Sequence, residues 1–347
     1  MAIPDTLTAW REYVADAPVE PDTLTPATLG RLSPQEKTAH DEARVAFLDG
    51  NIVLSTPDTD AIDLNARLLV GSLASKKFTA RPGLAVSGQS TLGKSTATMW
   101  VAKQHEQRMR EKTGRGDDPE YAPVVYVPTP AGTTTKGMMT AFCQWLGLPI
   151  HRQATAQDLT EQVVTVLRTM GTSMVLLDEI HNLKTRSSTG ADAASALKGF
   201  AERLDAVFVY TGIDLPSSDL FTGTIGAQLA GRVTMYEMQS FGASTQQQRD
   251  DWADLVAAIE DLIPLAKHKT GTLEGLAGYL FDRTGGSIGS LRLLVSKAAQ
   301  LAMDDGTEKV DRAKLDRVRI DQNAEGQLRA TTTTPPRSGR AKLKRAQ

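Results

Sequence analysis

From Gly83 onward the chain alternates short apolar runs with longer segments of helical period. The runs are Leu84–Val86, Val124–Val127, Met174–Leu177, Val207–Tyr210 and Thr234–Met238. Runs of this length predict buried strands. The clearest helix between them places Leu159, Val163, Val166, Leu167 and Met170 on one face. It follows Thr155-Ala-Gln-Asp158, a capping box with Asp in place of the usual Glu or Gln. Strands alternating with helices predict a parallel sheet with helices on both faces.

The strand signals stop near Ser244. Beyond it, Trp252, Leu255, Val256, Ile259, Leu262 and Ile263 predict one amphipathic helix, and Leu273, Leu276, Ala277 and Leu280 a second, ended by Gly285-Gly286. Ile288, Leu291, Val295 and Ala298 predict a third, and Asp311 is a candidate cap for a fourth. Before the sheet, amphipathic stretches run near Pro34–Leu48 and Thr59–Leu73, behind a segment dotted with Pro4, Pro18, Pro21, Pro26 and Pro34. The expected organisation is an arm with short helices over residues 1–58, an α/β domain over 59–243 and a small all-helical domain over 244–325. Residues 326–347 are expected to be a disordered basic tail, because 331–347 run through four threonines and Pro335-Pro336 into Arg337, Arg340, Lys342, Lys344 and Arg345.

Composition narrows the setting. A chain of 347 residues has room for two domains, and 40% hydrophobic with 23% charged residues is ordinary for a soluble globular protein. A formal net charge of −2 argues against a surface basic all round but leaves room for a local basic groove. The lone Cys143 permits no intrachain disulfide, which fits a reducing compartment. The first residues lack the layout of a signal peptide, and no apolar run approaches the roughly 20 residues that span a bilayer. The expectation is a cytosolic protein with no membrane role.

The chemistry enters with Gly88-Gln89-Ser90-Thr91-Leu92-Gly93-Lys94-Ser95, a full match to G-x-x-x-x-G-K-[ST] between a strand candidate and a helix candidate. Glycines let backbone N–H groups turn toward phosphate oxygens, and the N-terminus of the helix candidate, Thr96–Arg110, adds its partial positive charge. Lys94 would reach the β and γ phosphates of ATP, and the Ser95 hydroxyl would ligate Mg²⁺. Met174-Val-Leu-Leu-Asp178-Glu179 supplies the acidic strand end that such sites need, and its place in the chain suits the strand beside the phosphate-loop strand. Asp178 would hold the magnesium shell through water, and Glu179 would act as general base toward the attacking water.

Asp178-Glu179-Ile180-His181 also matches a helicase box, but the Ser-Ala-Thr and arginine-rich motifs of a second helicase domain are absent, so His181 reads as a polar residue at the strand's mouth. Three later positions have both a functional and a plain reading. Thr211, after the fourth strand, is either a sensor of the γ-phosphate or a turn threonine. Arg232, before the fifth, is either an arginine finger for a neighbouring subunit or a surface arginine. Arg292, after Gly285-Gly-Ser-Ile-Gly289, either reaches back to the nucleotide or is a solvated helix residue.

The order of these features resembles an AAA+ P-loop ATPase: phosphate loop, D-E-x-H box, polar residue after strand four, arginine before strand five, helical lid. Within that group the chain resembles the TniB/TnsC-like ATP-binding regulators of DNA transposition, with the phage MuB protein more distant. The resemblance is carried by Pro123–Pro128, by Met174–Leu183 (MVLLDEIHNL) and by Leu229–Met238 (LAGRVTMYEM), in a frame from about Leu32 to Ala302. Gly231-Arg232-Val233 departs from the bulkier arginine-aromatic pair of relatives. The resemblance implies an ATPase that assembles on duplex DNA, without sequence preference, into rings or filaments and recruits or activates a transposase. It also implies DNA contacts from the loop after the second strand, here Thr133, Thr134, Thr135 and Lys136, which otherwise read as a polar βα loop. A signalling or defence ATPase without DNA binding is the competing reading. A small-molecule kinase fits less well with the D-E pair and the separate helical domain.

Overall fold

The computed structural model describes residues 3–75, 81–183 and 190–321. The five apolar runs are strands: β1 (Gly83–Ser87), β2 (Val124–Pro128), β3 (Met174–Asp178), β4 (Val207–Gly212) and β5 (Val233–Glu237). They form one sheet in the order β2-β3-β4-β1-β5, and every pairing is parallel. Every residue of β1, β3 and β4 is buried. This is why their sequences are continuous apolar runs. At the β5 edge no residue is fully buried.

One expectation on topology is corrected. β3, which carries Asp178, is not beside β1. The register Leu84↔Val209 and Val175↔Phe208 places β4 between them. Short apolar runs carry no pairing preference, so the sequence alone could not order them. The consequence is chemical, since the carboxyl end of β4, with Thr211, stands between the phosphate loop and Asp178.

The chain divides into two compact units. The first joins the residues up to Val19 with Gly50–Gln239, and the second joins Glu20–Asp49 with the chain from Ser240. Residues 1–58, expected to form one arm, are therefore shared between two cores, and the helix Pro34–Leu48 is not short. In the first unit the helix Leu7–Ala15 buries Trp10 completely. The Trp10 indole donates to Glu106 Oε2 at 2.6 Å, and Trp145 Nε1 donates to the Pro4 carbonyl at 3.0 Å. In the second unit Arg44, on Pro34–Leu48, is buried and donates to Glu308 Oε2 at 2.7 Å and to the Pro264 carbonyl at 3.2 Å. That unit is all-helical among the described residues: Pro26–Leu29, Pro34–Leu48, Gln246–Glu260, Ala277–Thr284, Ile288–Asp304 and Arg312–Arg317, the last capped by Asp311. The unit boundary falls between Gln239 and Ser240, against an expected 243/244. The basic tail lies outside the described residues.

Candidate nucleotide site

The loop from Gly88 leaves β1 and closes onto the helix Lys94–Thr113. Gly88 N donates to the Gly212 carbonyl at 3.3 Å. A Cβ at Gly88 would stand 2.8 Å from the Met238 carbonyl oxygen, so the loop fits only with glycine there. Gly93 turns with φ 86°, a left-handed conformation open to glycine, and caps the helix with backbone alone. The first N–H groups of Lys94–Thr113 thus have no side-chain cap, the arrangement that receives phosphate oxygens. Gln89 Nε2 donates to Asp214 Oδ1 at 3.2 Å, tying the loop to the turn after β4. Lys94 is buried, and its ammonium donates to the Gln89 carbonyl at 2.7 Å. Burial pushes the ammonium below its ordinary pKa, while the Glu179 and Asp178 charges push it back up.

Asp178 is the centre of the site. Ser95 Oγ donates to Asp178 Oδ1 at 3.1 Å, the Glu179 N–H to the same oxygen at 2.9 Å, and the Thr211 hydroxyl to it as well. Tyr126 OH donates to the other oxygen, Oδ2, at 2.9 Å. Burial first, and the Asp178 charge second, raise the Tyr126 phenol above its ordinary pKa, so it remains a neutral donor. Glu179 adopts φ 54° immediately after the strand. Its side chain is 42% exposed, and Oε2 lies 3.4 Å from His181 Nε2. His181 Nδ1 in turn accepts from the Ile213 N–H at 3.3 Å. That bond leaves Nε2 as the ring nitrogen facing Glu179.

The donor set fits magnesium. Mg²⁺ takes one or two carboxylates with substrate phosphates and water rather than an all-protein cage. Asp178 and Ser95 offer two hard oxygens in contact. Among the described residues no cluster of three or more His, Cys, Asp or Glu could hold a metal by itself.

The family model for the bacterial TniB protein matches residues 51–241, more than half of the chain and all of the sheet. The chain belongs to the TniB family. Comparison with curated proteins found no match. Among solved structures, the Aeropyrum pernix ORC2 protein in its ADPNP-ADP complexes is similar at 14% identity and a TM-score of 0.60, over 82% of this chain and 71% of that one. The Aeropyrum pernix ORC1 protein in complex with DNA is similar at 15% identity and a TM-score of 0.58, over 82% and 68%. The Drosophila ORC bound to DNA is similar at 16% identity and a TM-score of 0.51, over 84% and 73%. At these identities the likeness is one of fold, and the fold is that of the AAA+ P-loop ATPases.

In this TniB-family chain the structure brings Lys94, Ser95, Asp178, Glu179 and Thr211 together. Arg232 precedes β5, and its carbonyl accepts from Gly83 N at 3.0 Å, at the amino ends of the strands. Its guanidinium pairs with Glu202. Arg292 belongs to the helical unit, where its Nη2 donates to the Leu48 carbonyl at 3.4 Å. Thr134 caps the helix Thr135–Trp145, its hydroxyl accepting from Gly137 N at 3.2 Å, and Lys136 is exposed beside it. Thr133 bridges to Leu183, so the loop is tied to the segment that follows Glu179. Sequence reasoning missed Tyr126 and gave His181 only a bland role. No motif marks Tyr126, whereas the His181 position in D-E-x-H was visible.

Proposed function

We propose that this protein binds and hydrolyses ATP with Mg²⁺, assembles on duplex DNA without sequence preference, and recruits or activates a transposase. The reading rests above all on the convergence of Lys94, Ser95, Asp178 and Glu179 at the carboxyl ends of β1 and β3 in a TniB-family chain. The backbone from Gly88 to Ser95 would cradle the phosphates, with Lys94 exchanging the Gln89 carbonyl for β and γ oxygens. Ser95 and Asp178 would hold the magnesium ion, which supplies positive charge to the phosphate oxygens. Glu179 would take a proton from the attacking water. The water oxygen bonds to the γ-phosphorus as the bond to the β–γ bridging oxygen breaks, and ADP leaves with the electron pair. His181 would hold the Glu179 carboxylate toward that water.

DNA binding is supported by the family and by the DNA-bound proteins that share the fold. Thr133, Thr134, Thr135 and Lys136 offer hydroxyls, an amide-rich turn and one ammonium, a set suited to phosphates rather than base edges. A lid role for the helical unit, with Arg292 turned to the nucleotide, and an arginine finger at Arg232 belong to the same reading.

The test combines nucleotide and DNA. Lys94→Ala is expected to abolish tight ATP binding, and Glu179→Gln to keep binding but lose turnover, because an amide cannot accept the water's proton. With a non-hydrolysable ATP analogue the unmodified protein is expected to bind duplex DNA, with a log–log salt slope of roughly 0.9 per phosphate contact. Unchanged ATP affinity in Lys94→Ala would remove the site assignment. Absence of duplex binding at low salt would favour an ATPase that acts through protein contacts alone.

A further inference from the structure

Asp178 lies at the end of a strand with its carboxylate buried, and its two oxygens have different neighbours. Oδ1 faces the phosphate loop, receiving Ser95, Thr211 and the Glu179 N–H. Oδ2 faces back into the protein and receives Tyr126 OH at 2.9 Å. The torsion that orients an aspartate carboxylate is broad and has no sharp preference of its own. What fixes its plane is the set of donors around it. Ser95 is also a candidate ligand of the metal, so its bond to Oδ1 is one that loading would exchange. The Tyr126 bond has no such competing duty.

Tyr126 is itself held. It is 1% exposed, at the centre of β2. Its ring stacks on Trp10 at 5.9 Å between centroids and 13° between planes. Trp10 is fixed in turn by Glu106 Oε2, on the helix that begins at Lys94, and Glu106 Oε1 also receives Arg110 Nε at 2.9 Å. Lys103, on the same helix, donates to the Tyr13 carbonyl at 3.1 Å. The N-terminal helix Leu7–Ala15 therefore lies one aromatic contact away from the hydroxyl that holds Asp178.

We propose that Tyr126 is a positioning residue for the magnesium-binding carboxylate of Asp178, and that the N-terminal helix braces it through Trp10. The inference rests on the nucleotide-site reading and adds to it a role for a segment outside the matched family region, residues 51–241. Tyr126 touches neither nucleotide nor metal in this scheme. It keeps Oδ1 aimed at the site by anchoring Oδ2.

Tyr126→Phe tests this, because it removes one oxygen and keeps the ring stacked on Trp10. The measurements are affinity for a non-hydrolysable ATP analogue in excess EDTA, half-saturating Mg²⁺ for the same analogue, and direct Mn²⁺ binding to the protein–analogue complex by electron paramagnetic resonance. Loss of a group that orients a metal ligand weakens metal affinity by about 10–100-fold. Half-saturating Mg²⁺ and the Mn²⁺ dissociation constant are expected to rise by about that factor. Analogue affinity in EDTA is expected to stay within about twofold, which a general loosening of the fold would not allow. Trp10→Phe keeps the hydroxyl but weakens its brace, and is expected to shift the metal constants in the same direction by a smaller factor. Should Tyr126→Phe not fold, Trp10→Phe decides alone. Metal constants unchanged in the variant that folds overturn the proposal while Lys94→Ala still loses ATP, and ATP affinity retained by Lys94→Ala instead removes the site reading beneath it.

Discussion

At Gly88 the obstacle to a side chain is the Met238 carbonyl, which is backbone and cannot swing aside. Gly88→Ala is therefore expected to cost about 1–3 kcal/mol, as overpacking does, and to weaken ATP binding because the loop can no longer close beside β5. Gly116→Ala, where nothing lies within 4 Å of the added carbon, is expected to stay within about 0.5 kcal/mol of the parent. Denaturant unfolding of the two variants checks the contrast, and equal losses would show that the Met238 contact is not what selects glycine. The same scale explains what could be read from sequence. Gly88, Lys94, Ser95, Asp178 and Glu179 were legible because phosphate and magnesium chemistry demands fixed residue types at fixed spacing. Tyr126 was not, because Val-Val-Tyr-Val reads as core, and its hydroxyl acquires meaning only when β2 is placed beside β3 with Tyr126 paired to Leu176. Arg44 was equally hidden, since nothing in Pro34–Leu48 announces a partner as distant in the chain as Glu308.

The helix Lys94–Thr113 presents its start to the phosphate loop and buries its middle, where His105 is 4% exposed and its Nε2 meets Ser173 Oγ at 2.8 Å. Burial, aided by the Arg108 charge, pushes the imidazole down to about 4. In the unfolded chain a histidine titrates near ~6.5. Between those values the unfolded chain binds a proton that the folded chain excludes. The stability is thus fully present above about pH 6.5 and is lost as the pH falls toward about 4. Between pH 7.5 and 4.5 this group is expected to remove about 2–3 kcal/mol, and His105→Gln, which cannot titrate, is expected to escape that loss. Unfolding free energies of the two proteins across that range are the check, and parallel profiles would exclude His105 as the cause. The five strands were legible as short apolar runs, and this helix because it follows the phosphate-loop motif rather than from any apolar period of its own. Strand order was not, since it depends on pairings that short apolar runs do not encode. Nor was the division of residues 1–58, because an amphipathic stretch shows that it will be buried but not in which core.

At the scale of the molecule, Arg232 and the phosphate loop lie at opposite ends of β1. The Arg232 carbonyl meets Gly83 at one end, and Gly88 begins the loop at the other. At about 3.3 Å per residue the strand separates them by roughly 13 Å or more, farther than the side chain reaches. If Arg232 serves ATP hydrolysis, it must serve a neighbour's nucleotide, and the isolated subunit holds an incomplete site. Its present partner, Glu202, is 44% exposed, so this ion pair can be exchanged at small cost. In the assembly, the guanidinium would stabilise charge developing on the γ-phosphate, a contribution of roughly 10³–10⁵ in rate for such fingers. Hydrolysis is then expected to rise more than linearly with protein concentration, and further when DNA aligns the subunits. Arg232→Ala is expected to bind ATP normally and hydrolyse it slowly. Mixed with Lys94→Ala, it should recover activity, because the intact Arg232 of one protein would complete the intact phosphate loop of the other. Arg232→Lys should substitute poorly, since an ammonium lacks the planar two-pronged donor geometry. The deciding measurement is ATPase rate against concentration for the unmodified protein and Arg232→Ala. A linear dependence with no loss in the variant would mean that each subunit works alone and that Arg232 does no more than pair with Glu202.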